Sequence, residues 1–344
     1  MVKPDIRFRL ATLKAPLFVH LDLTRHCNLN CFYCAIRDNR SVEPEHFPNR
    51  HFEKIIDALS EAEVFDLTFF GGEPFLYKGI YELGEYAKEK GFSVGFVTNG
   101  SLIRREDMPK IKKSFDSGGV ALNGVGQIHD RLCGKNGSFE KSRTTIEMFI
   151  DNAFPVGINS VVCRSNIKYL DDFLKWISTD LPANSVHLNF YSSYYNKNPE
   201  EVLTMEEMQK AFRIIESHRQ GDLKNKVSIN QSIPICFFDQ KYSSYFGSCS
   251  AGWTFAGIDV YGNVKICPSS STVLGNIFEK SLKEIWQNSD EMKYFRSNFW
   301  GHPRCKNCIL LEQCHGGCMV TSSTIKYSLP KYFETSIKPI LKSA

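Results

Sequence analysis

Between residues 17 and 193 short runs rich in β-branched and aromatic residues alternate with longer stretches of helical periodicity, and the alternation recurs six times. This constrains the fold strongly, because a strand turns its side chains over every second residue and a helix every three to four. The strand candidates are Leu17 to Thr24, Asp66 to Gly72, Ser93 to Gly100, Gly119 to Gly124, Pro155 to Arg164 and Ser185 to Ser192. Helical patterns lie between them at His51 to Glu63, Ile80 to Lys90, Phe139 to Asn152 and Leu170 to Ser178. A strand, helix, strand repeat joins parallel strands by right-handed crossovers. The chain is therefore expected to be α/β, a (β/α)6 TIM-like barrel that is partial or complete. Such a barrel carries its chemistry on the loops after the C-terminal ends of its strands.

A further helix is expected over Thr204 to Arg219, where Thr204 with Glu207 forms a capping-box pattern. From about residue 230 the chain becomes rich in Gly, Ser and Cys, with a hairpin candidate at Phe255 to Ile266, turning at Tyr261-Gly262-Asn263, and a helix at Ser281 to Phe295. This segment has little apolar periodicity, so bound metal is its natural staple. Two parts are expected, a barrel at 10–225 and a small Cys-rich domain at 230–344. With 344 residues, 42% of them hydrophobic, the chain can bury a large core. Its 42 basic and 38 acidic residues leave +4 with no basic block, so nucleic acid is not an expected partner. No apolar run approaches the roughly 20 residues of a membrane helix, and no export segment follows Lys3, Asp5, Arg7 and Arg9. A cytoplasmic chain without a membrane partner is expected.

The twelve cysteines are clustered at close spacing in a long chain, which favours metal over disulfides. The segment Thr24-Arg25-His26-Cys27-Asn28-Leu29-Asn30-Cys31-Phe32-Tyr33-Cys34 follows the first strand candidate, where barrel chemistry belongs. Three thiolates at this spacing can wrap one iron–sulfur cluster, and a four-iron cluster would then keep one iron open to a ligand. A small zinc loop uses similar spacing, so on this segment alone zinc stays open.

Later strand ends add Gly71-Gly72-Glu73-Pro74, then Thr98-Asn99-Gly100-Ser101, then Ala121-Leu122-Asn123-Gly124. Together with the three-cysteine loop, in which Tyr33 is the aromatic residue before the last cysteine, this order resembles the radical S-adenosylmethionine (SAM) superfamily. The resemblance implies a partial barrel, a 4Fe-4S cluster on Cys27, Cys31 and Cys34, and SAM chelated to its open iron and cleaved to a 5′-deoxyadenosyl radical. It implies cofactor contacts from Tyr33, Gly71, Gly72, Glu73, Pro74, Thr98 and Asn99. At the fourth strand the family usually shows Ser-x-Asp-Gly; here Asn123 is left to make the hydrogen bond.

The C-terminal cysteines run Cys249, Cys267, Cys305, Cys308, Cys314 and Cys318, with Gly262 between the first two. They resemble the SPASM extension of these enzymes, as do Leu274-Gly275-Asn276-Ile277 and Ile285-Trp286. By that resemblance Cys249, Cys267 and Cys318 hold a first auxiliary 4Fe-4S cluster, with Cys236 either its fourth ligand or a buried apolar residue. Cys305, Cys308 and Cys314 hold a second, whose usual last cysteine is missing. His315 or Glu334 could replace that cysteine, an iron could stay open, the cluster could be lost, or zinc could bind. One or two auxiliary clusters are therefore expected. Cys133 and Cys163 fit no spacing and are expected to be core thiols.

Candidate bases near strand ends are Asp22, Glu73, His129 and Asp130, and the run Phe190 to Tyr195 either lines a substrate channel or packs the barrel rim. The resemblance implies an oxidoreductase modifying a peptide or protein side chain, with a low-potential donor such as flavodoxin or ferredoxin. Because only a short segment precedes Leu17, leader recognition is expected from a separate protein. The competing expectations are dehydrogenation of a small alcohol such as an aminoglycoside precursor, and a non-catalytic iron–sulfur or zinc scaffold.

Overall fold

The structure is a computed structural model that describes residues 13–36, 47–192, 198–234 and 249–297, with residues 314, 317 and 318. Strands β1 (Phe18–Asp22), β2 (Asp66–Phe70), β3 (Ser93–Thr98), β4 (Ser117–Ala121), β5 (Val156–Val162) and β6 (Ser185–Phe190) fall at the six expected places. Each pairs in parallel with the next. The crossovers carry α1 (Asn49–Glu61), α2 (Ile80–Glu89), α3 (Met108–Ser114), α4 (Gln127–Cys133), α5 (Ser138–Asp151) and α6 (Leu170–Asp180). In α1 the apolar spacing sets the buried stripe: Phe52, Ile55, Ile56 and Leu59 are all fully buried.

Helix α7 (Met205–Gln220) opens with the expected reciprocal cap. The Glu207 amide donates to Thr204 Oγ1 at 3.2 Å, and the Thr204 amide donates to the Glu207 carboxylate at 2.7 Å. After it comes a seventh parallel strand, β7 (Val227–Ile229), on the free edge of β6. The alternation did not reveal it because three residues are too few to display a period. The expected hairpin forms as β8 (Phe255–Ile258) and β9 (Asn263–Lys265), and β10 (Val273–Asn276) extends it. Strand β8 also lies parallel to β1, so among the described residues one sheet of ten strands runs β10-β9-β8-β1-β2-β3-β4-β5-β6-β7. The single helix expected over Ser281 to Phe295 is two, α8 (Leu282–Asn288) and α9 (Asp290–Ser297). Ser289 is extended between them, and its hydroxyl accepts from the Met292 amide at 3.1 Å. A short polar side chain favours a cap over a helix interior.

The two faces of the sheet differ. Along β5, Val156, Ile158 and Val162 are buried while Gly157, Asn159 and Val161 are half-buried on the opposite face. Full parallel barrels fill that inner face with branched side chains. Here His20, Thr68, Gly95, Gly119, Gly157 and Ser185 stand on it, too small or too polar to fill it, and a cavity of about 720 Å³ remains. No described helix is long and apolar enough to cross a membrane.

Candidate functional site

The cysteine loop leaves the C-terminal end of β1 and is held by its neighbours before any ligand is considered. Gly72 donates its amide to the Thr24 carbonyl at 2.7 Å and Glu73 to that of His26 at 2.8 Å. This approach needs the Gly-Gly pair: a Cβ on Gly71 would sit 2.3 Å from Thr24 O, and one on Gly72 2.0 Å from His26 O. Gly71 also has φ of +124°, which side chains rarely allow. Further along, the Asn30 and Phe32 amides donate to the carbonyls of Cys133 and Leu132 at the end of α4.

Glu73 is 1% exposed, and its carboxylate accepts from Thr98 Oγ1 at 2.7 Å, the Asn99 amide at 2.8 Å and the Phe75 amide at 3.2 Å. Burial pushes its carboxyl up to about 7, against the pull of the Asn99, Thr98 and Phe75 bonds. Pro74 begins a short 3₁₀ turn behind it. Asn99 passes the tie back to the loop, its Nδ2 donating to Asn28 Oδ1 at 2.8 Å, while Asn28 donates to Ser101 Oγ at 2.8 Å. Of this set Gly71, Gly72, Thr98 and Asn99 line the cavity, whereas Glu73 and Pro74 stand behind it.

At the fourth strand end Asn123 is 1% exposed. Its Nδ2 donates to Tyr33 Oη at 2.6 Å, its Oδ1 accepts from the Val161 amide at 2.8 Å, and its own amide donates to His129 Nδ1 at 3.1 Å. That bond places the imidazole proton on Nε2, 3.3 Å from Cys133 Sγ, and burial holds His129 down at about 4, so it is uncharged. Burial alone would raise the Asp130 carboxyl, but the amides of Phe139 and Gly137 and the Ser138 hydroxyl hold it below its ordinary value while it caps α5. Asp22 ends β1 opposite Phe70. His129, Asp130 and Glu73 thus have their polar atoms engaged by protein groups.

Cys163 is a fully buried thiol pushed up to about 12 by burial, beside Leu132 and Tyr191. Cys133 is likewise a buried core thiol, as expected. It lies among polar groups, with Sγ 3.7 Å from Tyr33 Oη and interacting with Cys31. No spacing rule links a cysteine on α4 to the loop; only the fold does. Phe190 and Tyr191 pack inward, Tyr191 against Phe32 at 5.5 Å between ring centroids; Ser193 to Tyr195 lie outside the described residues.

Cys27, Cys31 and Cys34 are half-buried and line the same cavity as Gly71, Gly72, Tyr33 and Asn123. Among the described residues no three Cys, His, Asp or Glu groups are gathered tightly enough to hold a single metal ion. A cluster suits the wider spacing, because each thiolate binds a different iron across its sulfide bridges. The cavity volume also falls in the range of cofactor sites. In the C-terminal region Cys249 and Cys267 pack against the core, which Cys314 joins. Burial, and then the neighbouring Cys318, push the Cys267 thiol up to about 11. Thiols so placed suit a metal, which binds the thiolate and displaces its proton. Cys236, Cys305, Cys308, His315 and Glu334 lie outside the described residues. The described residues lining the cavity also include two histidines that local sequence did not single out, His20 on β1 and His187 on β6.

The Radical SAM superfamily profile matches residues 21–177 and an iron-sulfur cluster-binding domain profile, SPASM, matches residues 249–309. The PqqA peptide cyclase of Bradyrhizobium diazoefficiens is 26% identical over 322 residues, 89% of this chain and 82% of that protein. The AdoMet-dependent heme synthase of Methanosarcina barkeri is 23% identical over 323 residues, 89% of this chain and 92% of that protein. The structure of Streptococcus suis SuiB bound to precursor peptide SuiA shares the fold, with a TM-score of 0.77 at 20% identity over 93% of this chain and 75% of SuiB.

Proposed function

The chain is a radical SAM superfamily enzyme with a C-terminal SPASM iron–sulfur domain, and from that premise we propose that it takes hydrogen from a side chain of a peptide or protein, as a maturase of ribosomally made peptides. The observation that carries the proposal is the presence of Cys27, Cys31 and Cys34 on the same cavity as the Gly71–Gly72 turn and the polar inner face of the barrel. In this reading the three loop cysteines hold a 4Fe-4S cluster. Gly71, Gly72, Glu73, Pro74, Thr98, Asn99, Asn123 and Tyr33 form the cofactor side, with Glu73 acting from behind through Thr98 and Asn99. Cys249, Cys267 and Cys318 serve a first auxiliary cluster, for which Cys236 is the candidate fourth ligand, and Cys305, Cys308 and Cys314 a second where two are bound.

When bound, the cluster and SAM supply a 5′-deoxyadenosyl radical, the hard step that belongs to the cofactor. The protein's own part is placement. Glu73 fixes Thr98 and Asn99, Asn99 fixes Asn28, and Asn123 fixes Tyr33, so the loop and its rim are set before a ligand arrives. A flavodoxin or ferredoxin as electron donor and a separate leader-binding protein complete the proposal.

The PqqA peptide cyclase relative and the peptide held by SuiB support a peptide substrate. The heme synthase relative, of equal coverage, favours a second reading in which the substrate is a small molecule. The test is anaerobic reconstitution with dithionite, SAM and the peptide encoded by the nearest short reading frame. The peptide reading expects 5′-deoxyadenosine together with a peptide lighter by a pair of hydrogens. An unchanged peptide, with 5′-deoxyadenosine formed only when a small molecule is supplied, supports the second reading instead.

A further inference from the structure

The described residues that line the cavity include no Asp, Glu, Lys or Arg. Away from the cysteine loop the wall is largely glycine and apolar side chains such as Phe70, Phe96 and Val161, and its polar groups are side-chain amides, hydroxyls and two imidazoles; on the β5 to β7 side His187 stands among these. That residue lies directly opposite Ser228 in the β6–β7 register.

The bonds around His187 determine its tautomer. Its Nδ1 is 2.8 Å from Ser228 Oγ, and Ser228 Oγ in turn donates to Asn230 Oδ1 at 2.8 Å. A hydroxyl has one hydrogen, so Ser228 meets His187 as an acceptor and Nδ1 carries the imidazole proton. Nε2 is left with its lone pair, 2.9 Å from Ser185 Oγ. Burial lowers the pKa of His187, against a smaller opposing effect of Asn230, so the ring is neutral. His20, which lines the same cavity from β1, is neutral too, held at about 4 by burial and stacked on Phe70.

The room in front of this acceptor is made by glycines. A Cβ on Gly157 would stand 2.7 Å from Ser185 Oγ and 3.2 Å from His187 Nε2, and one on Gly119 would stand 2.3 Å from Asn159 Nδ2. Any side chain at either position would take up the space beside the polar groups.

We propose that His187 Nε2, with the Ser185 hydroxyl that caps it, is the specificity-determining acceptor of the lumen, taking a hydrogen bond from an uncharged O–H or N–H donor of the substrate. The Ser185 hydroxyl is a rotor and turns aside or relays the bond. Side chains of the Ser, Thr, Asn or Gln kind are accepted. Asp, Glu, Lys and Arg side chains are rejected, since burying a charge without a partner is strongly unfavourable. A site that hydrogen-bonds a substrate group also discriminates sharply against analogues lacking it, because its own polar atoms are then left unpaired. The inference rests on the reading of the lumen as the substrate side of a radical enzyme, and it deepens that reading by naming the side-chain class.

The test is ¹⁵N NMR of the reconstituted holoenzyme labelled at histidine, titrated with acetamide, acetate and methylammonium as probes. His187→Gln assigns the signal by its disappearance; should that variant fail to fold, the shift of the Nε2 signal in Ser185→Ala assigns it. The expected result is a protonated Nδ1 and a bare Nε2 in the free enzyme. Acetamide then shifts the Nε2 signal at concentrations at least tenfold lower than acetate or methylammonium. The opposite tautomer, an Nε2 signal that acetamide leaves in place, or equal shifts from a charged probe would overturn the proposal. Formation of 5′-deoxyadenosine in the same sample is read separately. Its absence beside the expected NMR pattern counts against the proposed function alone, and its presence without that pattern counts against the role of His187 alone.

Discussion

The two cysteine regions of this chain are held in different ways. In the first, bonds between protein groups fix the loop at several points along its length: Thr24 and His26 by the amides of Gly72 and Glu73, Asn28 by Asn99 and Ser101, and Asn30 by the Cys133 carbonyl. In the second, Cys249 and Cys267 rest on the core, the Cys318 amide donates to the Ser232 carbonyl, and the Cys267 thiol is buried beside Cys318. The lesson is a division of labour. The first loop is organised by bonds to the barrel, whereas fewer protein bonds hold the C-terminal thiols, and on the proposed function the metal they would bind supplies that stability.

Removing the iron should expose this difference most strongly. Chelation under anaerobic conditions is expected to lower amide-exchange protection across residues 249–297 by the equivalent of several kcal/mol, within the roughly 10 kcal/mol that structural metal sites can supply. The amides of Asn30, Gly72 and Glu73 should change by less than about 1 kcal/mol. Equal losses in both regions would show that the two cysteine regions depend on metal alike.

Next in size is Gly72→Ala. Its Cβ would lie 2.0 Å from His26 O, so the loop must move off β2, at a cost of about 3–4 kcal/mol in urea unfolding. Iron counting should show the loss confined to the Cys27, Cys31, Cys34 site.

The Glu73 carboxyl gives a comparable effect with a defined pH window. Its folded pKa of about 7 lies above the ordinary 4.5, because burial penalises the charged form. The protonated state is thus favoured by folding. The contribution is fully present below about pH 4.5 and is lost as pH rises through about 7, a span of about 3 kcal/mol by linkage. Glu73→Gln should remove that slope relative to the parent between these limits, while lowering stability below pH 4.5 by misplacing an amide against the Asn99 N–H. A variant that keeps the parent's pH slope would show that the carboxylate is not the titrating group.

The smallest effect expected is that of Asn28→Ala, about 1–2 kcal/mol, since it leaves the bonding groups of Asn99 and Ser101 without their partner. Thermal unfolding of the apo protein reads it directly.

How much of this was legible in the sequence depended on the length scale of each feature. The parallel strands β1 to β6 could be read because five to seven residues suffice to show alternation. Strand β7 could not be, and neither could the break at Ser289, where a cap of one residue outweighs a helical pattern on both sides. The cysteine loop and the strand-end motifs were visible because their spacing is local. What Glu73 bonds to was not, since Thr98 and Asn99 reach it from another strand. Cys133 and His187 carry no local pattern at all; a helix end and a cross-strand register give them their neighbours.

If the Cys27, Cys31, Cys34 loop performs the chemistry and the C-terminal thiols do not initiate it, 5′-deoxyadenosine formation depends on the loop. Anaerobic reduction of the reconstituted enzyme with dithionite and SAM, followed by quantification of 5′-deoxyadenosine, tests it in three proteins: the parent, Cys31→Ala and Cys267→Ala. Product is expected from the parent and from Cys267→Ala, and none above background from Cys31→Ala. Product from Cys31→Ala at the parent's rate, or none from a parent whose iron content matches a loaded loop, would contradict it.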